Sequence, residues 1–203
     1  FKDLAAPSLG ATAAKAALVR SGVAPEDIEE VIFGCVLPAG QGQAPARQAA
    51  LAAGLPQAVP CTTVNKMCGS GMKAIMLAHD ILCAGSARIG LAGGMESMSN
   101  APYLLDRARS GYRMGHGKLI DHMFLDGLED AYGEHLPMGA FAEDCAESFQ
   151  FTRAAQDAFA ITSLERAQRA ISDGSFAKEI APVTVKPGKA EGKIVLHDEQ
   201  PLK

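Results

Sequence analysis

The sequence predicts an α/β protein with buried strands, and three observations carry that reading. Over the first hundred residues, short apolar runs alternate with Ala-rich stretches of helical length. Gly and Pro fall between the runs as punctuation, at Gly22, Pro38, Gly54 and Gly85. The hydrophobic share is 48% but aromatics are only 5% and Trp is absent. An apolar mass made largely of Ala, with some Leu, Ile and Val, suits helices packed closely over a buried sheet. At 203 residues the chain is long enough for one large domain or two small ones.

Residues 8–20 (SLGATAAKAALVR) read as a helix with Ser8 as N-cap and Gly22 as its stop. Pro25, Glu26 and Asp27 suit a short helical turn. The run Val31 to Leu37 is a strand closed by Pro38. A loop, Gly40-Gln41-Gly42-Gln43, leads into a helix over 45–53 with Pro45 near its start and Gly54 as C-cap. Val59 to Val64 is a second strand. A helix from about 69 to 84 follows, with Met72, Ile75, Met76, His79, Leu82 and Cys83 expected along one core-facing side and Gly85 as the stop. Residues 88–94 form a third strand. Residues 99–137 are rich in Gly, His, Met and charge and lack a clear period, and so long an irregular stretch is usually functional. Helices over 138–149 and 153–172 come next. The second carries Ala155, Phe159, Ser163, Ala167 and Ile171 at four-residue steps and ends at Asp173-Gly174. Pro182 to Val185 is a candidate strand, and the remainder is polar. There is no internal repeat, heptad array or low-complexity tract.

Composition excludes several function classes. Nineteen basic against 23 acidic residues leave a net charge of −4, unlike the basic surface of a nucleic-acid binder. No apolar run approaches the ~18 to 20 residues of a membrane span, and no basic segment leads into an apolar signal core. The five cysteines (35, 61, 68, 83 and 145) include no CxxC pair, which fits neither a disulfide scaffold nor a zinc finger. Free thiols in a reducing, cytoplasmic setting are the expectation. His116 and His122 lack paired metal-ligand spacing, so no metal is expected.

The segment that carries chemistry is Asn65-Lys66-Met67-Cys68-Gly69-Ser70-Gly71-Met72. A strand ends, a cysteine follows, and small residues open a helix. Unpaired N–H groups and the helix dipole favour a thiolate there. Gly69 and Gly71 lack a Cβ, so a substrate could come close to the sulfur and to backbone donors. This serves covalent catalysis: a nucleophile on a sharp turn beside N–H groups for a developing oxyanion. From the residues alone, Cys68 is either such a nucleophile or a buried small apolar side chain, as most free cysteines are. Cys35 in the first strand, Cys61 in the second, Cys83 on a core helix face and Cys145 in a helix read as structural. Gly90 to Gly94 lacks the GxGxxG spacing of a dinucleotide loop. Glu96 is either a general base or, the favoured reading, a turn carboxylate held by backbone N–H groups. His79 reads as a helix-face residue. Arg107, Arg109, Arg113 and Lys118 form a small basic cluster, either a solvated loop or subunit contact or a meeting point for phosphates.

NKMCGSGMKAIMLA, followed by AGSARIGLAGGMESMSNAPYLL, closely resembles the thiolase family. VIFGCVLPAGQGQAPARQAALAAGLP, MGAFAEDCAE and TRAAQDAFAITSLERAQRA extend the resemblance over essentially the whole chain. The resemblance implies the layered α-β-α-β-α fold of that family, here its N-terminal half plus loop domain. Residues 1–98 would be the core half carrying the nucleophile. Residues 99–203 would be the loop domain, on the coenzyme A and pantetheine side and at the tetramer contact. The family's acylated cysteine matches Cys68. Its pantetheine-contacting loop matches 126–130 and 137–139, with Leu128 and Met138 as substrate-pocket residues. Many biosynthetic-type members have His immediately before that Met-Gly; here the position is Pro137, with His135 two residues earlier.

The implied activity is that of an acetyl-CoA C-acetyltransferase: reversible Claisen condensation and thiolysis of acetoacetyl-CoA through acyl-Cys68. Coenzyme A is a substrate, and no metal or redox cofactor is implied. The alternatives are a broad-chain 3-ketoacyl-CoA thiolase, or an inactive piece that only packs or binds coenzyme A. The implied assembly is a homo-oligomer, a dimer of dimers, with apolar side chains of 99–118 at the tetramer contact. Family members are about twice as long. The Gly-His-Pro and Asn-Glu-Ala-Phe motifs and second cysteine of their C-terminal half have no match here, and an Arg-Thr-Pro strand is expected before Phe1. Residues 1–203 alone are accordingly expected to be inactive.

Overall fold

The computed structural model describes residues 1–185 and 192–202. It divides into two compact units, Phe1–Ala131 and Tyr132–Lys203.

The first unit is built on a parallel three-stranded sheet in the order β2-β1-β3, with β1 Glu30–Gly34, β2 Cys61–Val64 and β3 Gly90–Gly94. Gly34 at the end of β1 lies beside Val64 and Gly94, so all three carboxyl ends finish together. Helices α1 Ala6–Ser21 and α2 Pro45–Ala53 cover one face, where Val31 and Phe33 meet Ala6, Ala14, Leu18, Ala46 and Ala49. Helix α3 Ser70–Cys83 covers the other, packing Ala74 and Ala78 against Ile32. The alternation of Val31, Ile32 and Phe33 between faces is the two-residue period of a strand, and burial of both faces is what makes the run continuously apolar.

Several expected boundaries shift for identifiable reasons. Helix α1 begins at Ala6, not at Ser8, because Pro7 sits in the first turn, where its missing N–H costs nothing. Gly22 does stop it, in the left-handed region at φ 68°, with its N–H donating to the Leu18 carbonyl at 3.1 Å. Strand β1 ends at Gly34, earlier than Pro38, because the N–H groups of Val36 and Leu37 turn to a side-chain carboxylate. Pro60 delays β2 to Cys61.

The largest correction concerns α3. The side expected to face the core is exposed: Met72 is 71% exposed and Ile75 58%, and Met76, Leu82 and Cys83 are exposed too. Helix α3 meets the sheet through its small residues, Ser70, Ala74 and Ala78, with Leu77 and Ile81 beside them. A stripe of small side chains at four-residue steps brings the helix axis close to the strands. That leaves the bulky stripe on the far side.

The irregular stretch contains a two-residue antiparallel pairing of β4 Tyr103–Leu104 with β5 Ile120–Asp121, then a π-helical turn over Phe124–Leu128. In the second unit, α4 is Met138–Ser148 and α5 is Arg153–Ser172, with the Thr152 hydroxyl capping α5 by accepting from the Ala155 N–H at 3.2 Å. The strand expected at 182–185 is β6 Val183–Val185, paired antiparallel with β7 Lys193–Val195, a partner the polar tail did not advertise. Among the described residues, no helix is long and apolar enough to cross a membrane.

Candidate functional site

All three loops at the carboxyl ends of the parallel strands lie at one end of the first unit. In α/β sheets this is the end where ligands bind. Cys68 stands there, exposed, in the turn between β2 and α3, immediately before the helix N-cap Gly69. The turn is tight. Met67 holds a left-handed backbone at φ 50°, a conformation that L side chains adopt only when their surroundings enforce it. The enforcing bonds are on either side of it. The Asn65 carboxamide oxygen accepts from the Met67 N–H at 2.9 Å. The Ser70 hydroxyl accepts from the Lys66 N–H at 2.9 Å and donates to the Met67 carbonyl at 2.6 Å. A strained strand-to-helix elbow that leaves the thiol exposed at a helix N-terminus in this domain suits a nucleophile.

The glycines divide the work. Gly69 has room for a Cβ, its nearest contact being the Lys66 carbonyl at 3.5 Å. Gly71 faces Gly94 of β3, whose Cα would lie 3.7 Å from an added Cβ. Gly71 thus faces the sheet, where an added Cβ would make ordinary contact.

Glu96, just beyond β3, is the turn carboxylate of the favoured expectation. It accepts from the Val36 N–H at 2.8 Å and the Leu37 N–H at 2.9 Å. The Cys35 thiol donates to it at 3.5 Å. Burial, together with the neighbouring Glu96 charge, pushes the Cys35 thiol up to about 12. Cys35 is therefore a protonated, inert thiol at neutral pH.

Glu96 thereby fixes a segment that touches both the Cys68 elbow and the Phe124–Leu128 turn. The Asn65 amide donates to the Val36 carbonyl at 3.4 Å, tying it to the Cys68 elbow. The Leu37 side chain lies against Gly127, its Cδ2 3.3 Å from where a Cβ would stand. Gly127 belongs to the π-helical turn carrying Leu128, which is half-buried. The residues that organise the site but escaped the sequence reading are thus Asn65 and Ser70. Their signal was present: an Asx-type residue two before a turn, and Ser at a helix start.

Met138 opens α4 in the second unit and is 48% exposed. Pro137 is the residue before the helix, and His135 is exposed with a left-handed backbone at φ 57°. His79 is exposed on α3 beside Asp80 and Cys83. Cys61 is half-buried, and Cys145 is exposed on α4. Among the described residues, no group of three or more His, Cys, Asp or Glu is placed to hold a metal ion.

The sequence matches the family description "Thiolase, N-terminal domain" over residues 1–203. An acetyl-CoA acetyltransferase of Cupriavidus necator is 51% identical over 194 residues, which cover 96% of this chain and 49% of that protein. One from Schizosaccharomyces pombe is 50% identical over 202 residues, 99% of this chain and 51% of its own length. Acetyl-CoA acetyltransferase 2 of Arabidopsis thaliana is 50% identical over 202 residues, the whole of this chain and 50% of its own. The chain spans about half the length of the curated relatives it matches. With a strained cysteine elbow at the carboxyl ends of a parallel sheet and a domain match along its full length, the chain belongs to the thiolase family, as that family's N-terminal domain.

Proposed function

We propose that the full-length protein containing this domain is an acetyl-CoA C-acetyltransferase with Cys68 as its nucleophile. The observation that carries the reading is the exposed Cys68 on a left-handed turn at the start of α3. In thiolysis the Cys68 sulfur attacks the keto carbon of acetoacetyl-CoA. The bond between that carbon and the α-carbon breaks, and its electron pair takes a proton to give acetyl-CoA. The thiol of coenzyme A then attacks acetyl-Cys68, releasing a second acetyl-CoA and the free cysteine. In the synthetic direction the enolate of acetyl-CoA attacks acetyl-Cys68. Leu128 and Met138 are proposed to line the pantetheine pocket. The base and second cysteine belong to the remaining half of the family fold, which in this reading also covers the exposed apolar side of α3. Coenzyme A enters as a substrate, with no metal or redox group proposed. Five free cysteines favour a reducing, cytoplasmic setting.

Peptide mapping of the full-length protein after brief iodoacetamide treatment tests the assignment. Cys68 should label first and be protected by prior incubation with acetoacetyl-CoA, which leaves an acetyl group on its peptide. Cys35 should stay unlabelled at pH 8, where a thiol with its raised value is thiolate only to the order of 10⁻⁴. A thiol held up in this way gains reactivity only as pH rises towards that value. Fast labelling of Cys83 or Cys145 with Cys68 unmodified would remove Cys68 from the role.

We also propose a homo-oligomer, a dimer of dimers, with the tetramer contact made by the loop 99–118. Tyr103, Leu105 and Met114 are exposed there, and Met114 fully so. Such side chains on an irregular loop are costly in water unless another subunit covers them. Light scattering should give the full-length protein four times its chain mass, and a variant deleted across 103–114 half of that. A wild-type monomer at micromolar concentration would refute the assembly.

A further inference from the structure

Set aside at first as a histidine without metal-ligand spacing, His122 is among the few buried polar residues of the first unit, only 4% exposed. Its ring has one polar contact, Nδ1 to the Asp126 carboxylate at 2.5 Å, one helical turn further on. Its Nε2 is buried with no hydrogen-bond partner among the described residues. The backbone is pinned as well, with the His122 N–H donating to the Pro102 carbonyl at 3.2 Å and the Met123 N–H to the Asp121 carboxylate at 2.8 Å.

As a stability device this arrangement is poor. A buried imidazole with one nitrogen unsatisfied loses solvation that an apolar side chain of similar size would not lose. Asp126, about half exposed, would be well solvated without it. What the pair does achieve is geometric. Asp126 lies within the π-helical turn Phe124–Leu128, whose end is capped by the Glu129 N–H donating to the Phe124 carbonyl at 2.9 Å. A π turn is rare and is found frequently at functional sites. This one is gripped from two sides. Leu37, fixed by Glu96, lies against Gly127, and His122 holds Asp126. The residue placed by both grips is Leu128.

We propose that His122, acting through Asp126, is a positioning residue that sets the Phe124–Leu128 turn so that Leu128 meets the pantetheine arm of acyl-CoA. The proposal rests on the acyl-transfer reading above. It differs from a fold-stabilising role in what it requires of variants. Leucine removes the hydrogen bond but fills the space. Asparagine places an amide N–H where Nδ1 stands, and glutamine places it where Nε2 stands.

The experiment uses the full-length protein as wild type, His122→Leu, His122→Asn and His122→Gln, measured by steady-state thiolysis of acetoacetyl-CoA, thermal unfolding and amide hydrogen exchange. In His122→Leu the KM should rise roughly tenfold with kcat within about twofold, as expected when ground-state and transition-state binding are lost together. The unfolding temperature should not fall, and iodoacetamide should modify Cys68 at the wild-type rate. Exchange across 124–129 should accelerate. His122→Asn should recover most of the KM and of the protection, and His122→Gln neither. An unchanged KM in His122→Leu, or a fall in unfolding temperature that carries kcat and Cys68 alkylation down with it, overturns the proposal. If the wild type itself does not cleave acetoacetyl-CoA, the acyl-transfer reading fails instead. Exchange across 124–129 then decides His122 alone, and unaltered protection in His122→Leu rejects its positioning role.

Discussion

Cys68→Ser in the full-length protein is expected to lower the turnover of acetoacetyl-CoA by on the order of 10⁴-fold or more, with the fold intact. The size follows from the chemistry of the position. A thiolate is intrinsically a far stronger nucleophile than a hydroxyl, which needs a dedicated base to become nucleophilic. Nothing in the geometry of the turn would compensate. The Ser70 hydroxyl is fully engaged with the Lys66 N–H and the Met67 carbonyl, and the Asn65 carboxamide with Met67 and Val36. The same bonds explain why the fold should survive, since the elbow is held by its neighbours and not by the sulfur. Initial rates at saturating substrate, alongside a denaturant curve, separate the two effects. Turnover within tenfold of wild type would mean that the acyl group passes through another residue.

How far the sequence was legible depended on whether each signal was local. Helix α2 runs from Pro45 to Ala53 with Gly54 behind it, as read, because its stop and start are set by residues inside the element. The buried sheet was legible from apolar runs that burial on both faces imposes on β1, whereas the parallel pairing of its strands came from the structure. The orientation of α3 was not legible. Two stripes on it, one small and one bulky, are both apolar, and period alone does not say which meets the strands. What decides is Gly34, whose missing side chain lets β1 lie directly against the start of α3 at Ser70 and Gly71, with Ala74 and Ala78 following on the same side. Of the candidate site, the place of Cys68 between a strand end and a helix start was legible because both boundaries are set by neighbouring residues. The clamp was only half legible. Glu96 could be read as a turn carboxylate, but its partners Val36 and Leu37 lie 60 and 59 residues away in sequence, and no periodicity joins them. His122 and Asp126 are one helical turn apart, yet the turn that joins them is π-helical, set in a stretch with no apolar period to announce it.

Gly34→Ala should be the most damaging single methyl group that can be added to this domain. Gly34 ends β1 directly beneath the start of α3, and a Cβ there would stand 2.5 Å from the Ser70 carbonyl carbon, 2.6 Å from Ser70 Cβ and 2.7 Å from the Gly71 nitrogen. Two of these three are backbone atoms, so no rotamer change relieves the contact. The helix start must move by ~1 Å to restore ordinary packing distances. Overpacking of this kind is expected to cost about 3 kcal/mol, well above the ~0.5–1 kcal/mol that alanine gains over glycine in chain entropy. The displaced atoms are those that hold Met67 in its left-handed conformation, because the Ser70 hydroxyl bonds the Lys66 N–H and the Met67 carbonyl. Turnover of the full-length protein should therefore fall on the order of 10²-fold beyond any loss of folded protein, the usual effect of a misplacement of that size at a reacting atom. The neighbouring glycines supply the scale. A Cβ on Gly94 would meet Gly71 Cα at 3.2 Å and should cost less, while one on Gly71 would find its nearest atoms at 3.7 Å and should cost least, its helical position favouring alanine over glycine. Denaturant midpoints for Gly34→Ala, Gly94→Ala and Gly71→Ala should recover in that order. If Gly34→Ala were as stable as wild type, the close approach of β1 to α3, and with it the origin of the Cys68 elbow, would have to be abandoned.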